Sequence, residues 1–440
     1  MPSRQLRQEA HNLFQLGNIA AARLNWRNAC QEYLANERPE CQRPTREKTS
    51  IIRKIINLYA QGWADLVQDL EPDDCNLIIW FLGQAEHEAT SVINWIECAT
   101  AWKHLLNDEQ NAVRCLGAAE HVAAAAEVPD RGEWHRIATS YQDILNDMAS
   151  HDRCQNNALA LELRAQEDEA RSFSALINCA KEWHAKLNNQ DAVQRCLQEA
   201  EEMIDRIANA MYPTVIDRLA EIAREWLNLA QDDQLARQCL ERANAAAQDS
   251  EEYDDWLNCA GHWIQLLNDH EQCRICLNNA MDNATGTLAW IDCGKAWIDL
   301  LMDQQTSKNC YQQAQRRART PSAYLACARV WFEVDNINAT KECLLRVEQR
   351  LAGGSNNSND WLTVGNLWHE LHDDNAARRC FAQAQPQCTT PESWRECSES
   401  YTRIGEIETA RICEQKAEAA VDDILFKKVV NELPPQPPLA

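Results

Sequence analysis

Glycine and proline are scarce here, 12 and 13 in 440 residues. That is too little turn chemistry for a β-rich fold, whose hairpins draw on both. No run approaches the roughly 18 apolar residues that a spanning helix needs, so no membrane segment is expected. The opening stretch "MPSRQLRQEAHNLFQLGN" has no apolar core of signal-peptide type, and a cytoplasmic location is expected. Cations are also in deficit: 43 Lys and Arg stand against 67 Asp and Glu, for a net charge of −24. Such a balance speaks against a nucleic-acid partner, which wants clustered Lys and Arg. It favours solubility and a basic or mixed-charge protein partner.

Chemical motifs are thin as well. No Gly-rich phosphate loop and no G-x-S-x-G turn appears. His270, Cys273 and Cys276 fan over about 120° of a helix instead of converging on a metal. His369 and His372 are not the four residues apart that a zinc-protease pair needs. No enzyme, cofactor or metal is expected.

What is abundant is repetition. Residues 95–119 "WIECATAWKHLLNDEQNAVRCLGAA", 256–280 "WLNCAGHWIQLLNDHEQCRICLNNA" and 290–314 "WIDCGKAWIDLLMDQQTSKNCYQQA" align without a gap. Trp95, Cys98, Ala99, Trp102, Leu105 and Leu106 form a helical stripe, and Ala112, Cys115, Leu116 and Ala119 form another. Between them Asn107 or Asp108 is placed to take the left-handed turn usually given to Gly. Each unit is thus predicted to be a helical hairpin. The second aromatic recurs at Trp102, Tyr141, Trp183, Trp226, Trp263, Trp297, Trp331, Trp368 and Tyr401, at intervals of 33 to 43 residues. With weaker units around Leu13 and Trp63, about eleven hairpins are expected.

A small residue stands three before each of these aromatics, Gly294 and Gly365 among them, and marks the close crossing inside the hairpin. "TPSAY" at 320–324 and "TPESW" at 390–394 read as Thr N-caps with Pro at the first helical position. The 20 cysteines follow the same register. Cys98, Cys179, Cys259, Cys293, Cys327 and Cys397 lie four before an aromatic, and nine others lie 12 or 13 after one. A residue type fixed in a repeat is a packing residue, so buried, reduced thiols are expected.

Residues 361–384, "WLTVGNLWHELHDDNAARRCFAQA", resemble the tetratricopeptide signature W-x2-L-G-x2-Y, A-x3-F, A: Trp361, Val364, Gly365 and Trp368, then Ala377, Phe381 and Ala384. Other units resemble it with Cys for Leu and Trp for Tyr, over about nine-tenths of the chain. The resemblance implies an all-α, right-handed superhelical solenoid of about eleven stacked antiparallel hairpins with a concave inner face. The array is placed at residues 1–425, weaker over 1–90 and regular over 91–420. A capping helix and Pro-rich tail are placed at 421–440.

The same resemblance implies that first helices line a groove. Transferred here, one row is Ile96, Ile177, Leu257, Ile291, Leu325 and Leu362. A second holds Lys103, His184, Leu227, Ile264, Ile298, Phe332 and His369, with Lys181, Arg224, Lys295 and Arg329 between them. The family's carboxylate clamp is incomplete: Asn366 fits it, but Leu362 stands where a Lys belongs. The expected function is a non-enzymatic scaffold or adaptor that binds a protein or peptide with apolar anchors and acidic groups. Alternatives are a regulatory subunit of a separately encoded effector enzyme and, against the net charge, helical-repeat RNA binding.

Overall fold

The computed structural model describes residues 3–37, 45–207, 212–354 and 358–432, and no strand occurs among them. The described helices pair into eleven hairpins. They divide into two compact units, residues 1–200 and 201–440. The first unit holds the hairpins Ser3–Gln15 with Ile19–Glu37, Thr45–Val67 with Pro72–Glu88, Val92–Leu106 with Glu109–Ala124, and Arg131–Leu145 with Met148–Glu169. Phe173–Leu187 follows, and the boundary falls within Gln190–Ile207. The second unit holds six further hairpins, from Tyr212–Ala230 with Asp233–Ser250 to Pro391–Arg403 with Ile407–Glu432.

In four hairpins the turn opens on asparagine. Asn107, Asn146, Asn188 and Asn268 take the left-handed conformation, with φ of 50, 53, 47 and 50°. The next residue caps the second helix: Asp108, Asp147 and Asp269 accept backbone N–H groups of Asn111, Ser150 and Gln272. The first helix also closes on itself, as where Asp108 N–H donates to Trp102 O at 3.2 Å. Thr320 and Thr390 are N-caps with Pro following, as their spelling predicts. Extra length in the longer repeats goes into second helices, such as the 22-residue Met148–Glu169.

Inside each hairpin the small residue sets the distance between helices. A Cβ on Gly294 would overlap the Tyr311 ring, and one on Gly365 would overlap Phe381. Where the equivalent residue of the second helix is Leu116, Leu197, Leu240, Leu277 or Leu344, the small residue is Ala99, Ala180, Ala223, Ala260 or Ala328. Glycine appears where the facing side chain is aromatic.

Between hairpins the core is built from second aromatics and cysteines. Trp63, Trp226, Trp263 and Trp331 are at most 1% exposed, and every described cysteine except Cys75 is buried. Burying one Trp, roughly 200 Å², removes at most about 5 kcal/mol of apolar hydration cost. That surface belongs to two hairpins at once, which is why one alone is incomplete.

The structure adds a polar clamp at these junctions. The indole or phenol of a first helix donates to an acceptor on the second helix of the preceding hairpin, and at four junctions an arginine of its own hairpin holds the same acceptor. Glu86 takes Trp102 and Arg114, and Glu120 takes Tyr141 at 2.6 Å and Arg153 at 2.7 Å. Glu167 takes Trp183 at 3.1 Å and Arg195 at 2.5 Å, and Glu201 takes Trp226 at 2.7 Å and Arg242 at 2.8 Å. The acceptor is Asn244 for Trp263, Met281 for Trp297 and Gln315 for Trp331. The first aromatics have no such partner: Trp256, Trp290 and Trp361 are buried with unpaired indole N–H groups among the described residues.

The last helix runs unbroken from Ile407 to Glu432. The segment expected to cap the array from 421 therefore lengthens the second helix of the final hairpin. The Pro-rich tail lies outside the described residues.

Candidate interaction face

First helices of neighbouring hairpins pack side by side within each unit, as Val92–Leu106 does on Arg131–Leu145 and Tyr253–Leu267 on Thr287–Leu301. Their outer edge is the face on which sequence places a partner. Among the twelve expected residues, Lys181, Arg224, Lys295, Arg329 and Phe332 are exposed on it, and Ile96, Leu257, Leu325, Asn366 and His369 are half-buried. Ile291 and Leu362 are in the core, at 4% and 2% exposure. The position after the first aromatic turns toward the adjoining first helix, so these two contribute to packing and offer little surface. The residues also divide between the units: Ile96 and Lys181 belong to the first and the other ten to the second.

In the second unit, Arg224, Lys295 and Arg329 each stand two residues before a buried tryptophan. Gly261 takes that place on the helix between Arg224 and Lys295, so the basic line has a gap. Beside Arg224, burial holds the His262 imidazole below its ordinary pKa; Asp217 opposes that shift and Arg224 reinforces it. His369 is tied to Asp374 at 2.6 Å, and the Asn366 carbonyl oxygen is buried without a partner among the described residues.

The first unit carries a relief that sequence reasoning touched only at Ile96. Three clefts of 790, 340 and 530 Å³ adjoin one another across the first helices of its second, third and fourth hairpins. Arg53 and Asn57 line the first two, Ile93 lines the first and third, and Glu97 the second and third. Leu58 and Ile93 are 37% and 38% exposed there. Arg53 donates to Glu97 at 2.5 Å, and the other Glu97 oxygen is buried without a partner among the described residues. Asn94 is fully buried, accepts from the Thr49 hydroxyl at 2.9 Å, and has an unpaired side-chain amide. Arg53, Asn57 and Gln61, four apart on one helix, were the legible signal; the weak repeat spelling before residue 90 hid it.

No described residues form a group of three or more His, Cys, Asp and Glu able to hold a metal. Cys273 and Cys276 are fully buried while His270 is exposed, and Cys276 donates to Asn244 at 3.3 Å. No described helix is long and apolar enough to cross a membrane.

The arrangement is that of an all-α, tetratricopeptide-like helical-hairpin repeat protein. No family model and no curated protein matches the chain. Solved structures similar to it include that of MamA, at 12% identity over 38% of this chain and 96% of that one, with a TM-score of 0.26. YrrB, described as a TPR protein with an unusual peptide-binding site, matches at 15% over 44% of this chain and 100% of its own, with a TM-score of 0.27. The APC/C hetero-tetramer Cut9–Hcn1 matches at 13% over 95% of this chain and 86% of that one, with a TM-score of 0.25.

Proposed function

We propose that this chain is a non-enzymatic interaction scaffold that holds an extended segment of a protein partner against the first helices of its first unit. The observation that supports this most is the run of three adjoining clefts, which sets exposed apolar side chains beside polar ones. Leu58, Ile93 and Ile96 would seat apolar anchors. Asn57 would bond the segment's backbone, and Arg136 would meet its carboxylates. In the second unit, Arg224, Lys295 and Arg329 offer a separate place for acidic groups. A groove that takes side chains at intervals and backbone throughout suits many partners of one chemical type, which is what a scaffold needs.

The test is selection of a displayed peptide library on the intact chain. Binders carrying spaced apolar residues with Asp or Glu, weakened about tenfold by Ile93→Asp or Asn57→Ala, would support the reading. Binders indifferent to both substitutions but lost on Lys295→Glu with Arg329→Glu would move the site to the second unit. Binders indifferent to all four would refute a first-helix site.

A further inference from the structure

The junction clamp has one member left open. Four junctions set an arginine against a carboxylate: Glu86 with Arg114, Glu120 with Arg153, Glu167 with Arg195, and Glu201 with Arg242. At the junctions of Asn244 and Met281, the neutral acceptor comes with no arginine: Ile275 and Asn279 flank Cys276, and Asn309 and Gln313 flank Cys310, where the arginine would stand. At Trp331 the acceptor is again neutral, Gln315 at 3.0 Å, yet the arginine is there. Arg346 follows Cys343 by three residues, as Arg242 follows Cys239. Its counterpart Arg242 takes Glu201 at 2.8 Å; Arg346 instead takes Glu342 on its own helix at 2.9 Å and covers the Tyr324 ring at 5.8 Å.

Two more guanidinium groups converge on this place. Arg316 and Arg319 line, with Arg346, Tyr324, Gln315 and Glu342, an open cleft of 440 Å³ between the second helices Gln304–Arg317 and Ile337–Ala352. Arg319 donates to the carbonyls of Arg316 and Ala318 at 2.9 and 3.1 Å, which covers the negative end of the first of these helices. Arg316 and Arg319 have no carboxylate partner among the described residues. Three cations and one carboxylate leave two positive charges unmatched, on a chain whose net charge is −24.

We propose that this cleft receives a phosphoryl group carried by a protein partner, in the place that an arginine-paired carboxylate fills at four other junctions. A phosphomonoester brings nearly two negative charges and three acceptor oxygens. Guanidinium groups approaching from the loop and from the opposite helix can bond different oxygens of it. The exposed, local pair of Arg346 with Glu342 contributes little and is readily exchanged. The cleft is open to water on one side, so it fits a group presented by a larger molecule and lacks walls for a small free ligand. This site lies on second helices and does not depend on the first-helix face being occupied.

The experiment titrates the full chain calorimetrically, at low salt, with a capped five-residue peptide, Gly-Gly-Ser-Gly-Gly, phosphorylated on its serine, and separately with inorganic phosphate. Saturable binding of the peptide, tighter than phosphate and weakened about tenfold by Arg316→Ala, is expected. The Gln315→Glu variant is decisive. It supplies the missing carboxylate, keeps an acceptor for Trp331, and should abolish peptide binding with no loss of melting temperature. Peptide binding unchanged in Gln315→Glu, or absent from the parent chain, would overturn the proposal. Phosphate bound as tightly as the peptide would overturn the protein source.

Discussion

Trp183 donates its indole N–H to Glu167 at 3.1 Å across the junction of two hairpins, and Arg195 reaches the same carboxylate at 2.5 Å. Burial pushes the Glu167 carboxyl up, but the bonds from Arg195 and Trp183 bring it below its ordinary value. Removing the acceptor leaves a buried indole and a half-exposed guanidinium without their partner. Glu167→Ala should cost about 1–3 kcal/mol, seen as a lower melting temperature and faster amide exchange near the junction. Glu167→Gln, which keeps an acceptor, should cost less; equal losses would show that the bonds contribute nothing.

The two aromatics of a repeat should respond differently to loss of the indole N–H. Trp263→Phe leaves the Asn244 side-chain oxygen with only the weak Cys276 thiol donor, whereas Trp256→Phe removes a donor that has no acceptor. Both leave a similar void, so the first should exceed the second by about 1 kcal/mol in chemical denaturation. A larger loss at Trp256 would contradict the pairing.

Gly294→Ala drives a methyl group into the Tyr311 ring. The expected cost is about 1–3 kcal/mol. Adding Tyr311→Leu recreates the Ala–Leu combination used at residues 99 and 116, and the double variant should recover most of the loss. Additive losses in the double variant would mean that the glycine serves something other than this crossing.

Met302 occupies the turn position held by asparagine in four other hairpins, at φ of 56° and 80% exposure. A side chain without local hydrogen bonding gains nothing from the left-handed conformation. Met302→Asn should raise stability by roughly 1 kcal/mol, visible as a higher melting temperature. No change, or a decrease, would show that Met302 makes a compensating contact.

Acid should weaken the turns. Asp108, Asp269 and Asp303 lie below the ordinary carboxylate pKa, held there first by the backbone N–H groups of Asn111, Gln272 and Thr306. Their folded values are lower than their unfolded ones, so their contribution is complete above about pH 4 and fades as pH falls through the folded values. Melting temperature should therefore drop on acidification below that point. Replacing the three with Asn, which caps without titrating, should flatten the slope; an unchanged slope would place the acid sensitivity elsewhere.

Much of the fold was legible because the repeat spells out its own contacts. Cys98 and Trp102 recur at a constant offset, and such an offset has only a packing meaning in a helix. The turn was legible in "LND", since Asn tolerates a positive φ and Asp caps the next helix. Glycine at 294 and 365 pointed to the close crossing, though its cause, an aromatic on the facing helix, needed both helices in view. The first-unit clefts were hidden because their helices depart from the repeat spelling, and a surface defined by three helices leaves no signature in any one of them.

The sequence by itself determined the helices, their pairing, the two-residue turns and the burial of the cysteines. These follow from local propensity and from periodicities shorter than a hairpin, and both are written along the chain. Tertiary structure decided which acceptor each second tryptophan meets, that Ile291 and Leu362 are core, and that Arg346 lacks the junction carboxylate that Arg242 has. Trp183 and Glu167 are 16 residues apart and Trp226 and Glu201 are 25, so no fixed spacing announces the bond. It exists because hairpins that cannot bury their cores alone stack, and stacking brings those two side chains together.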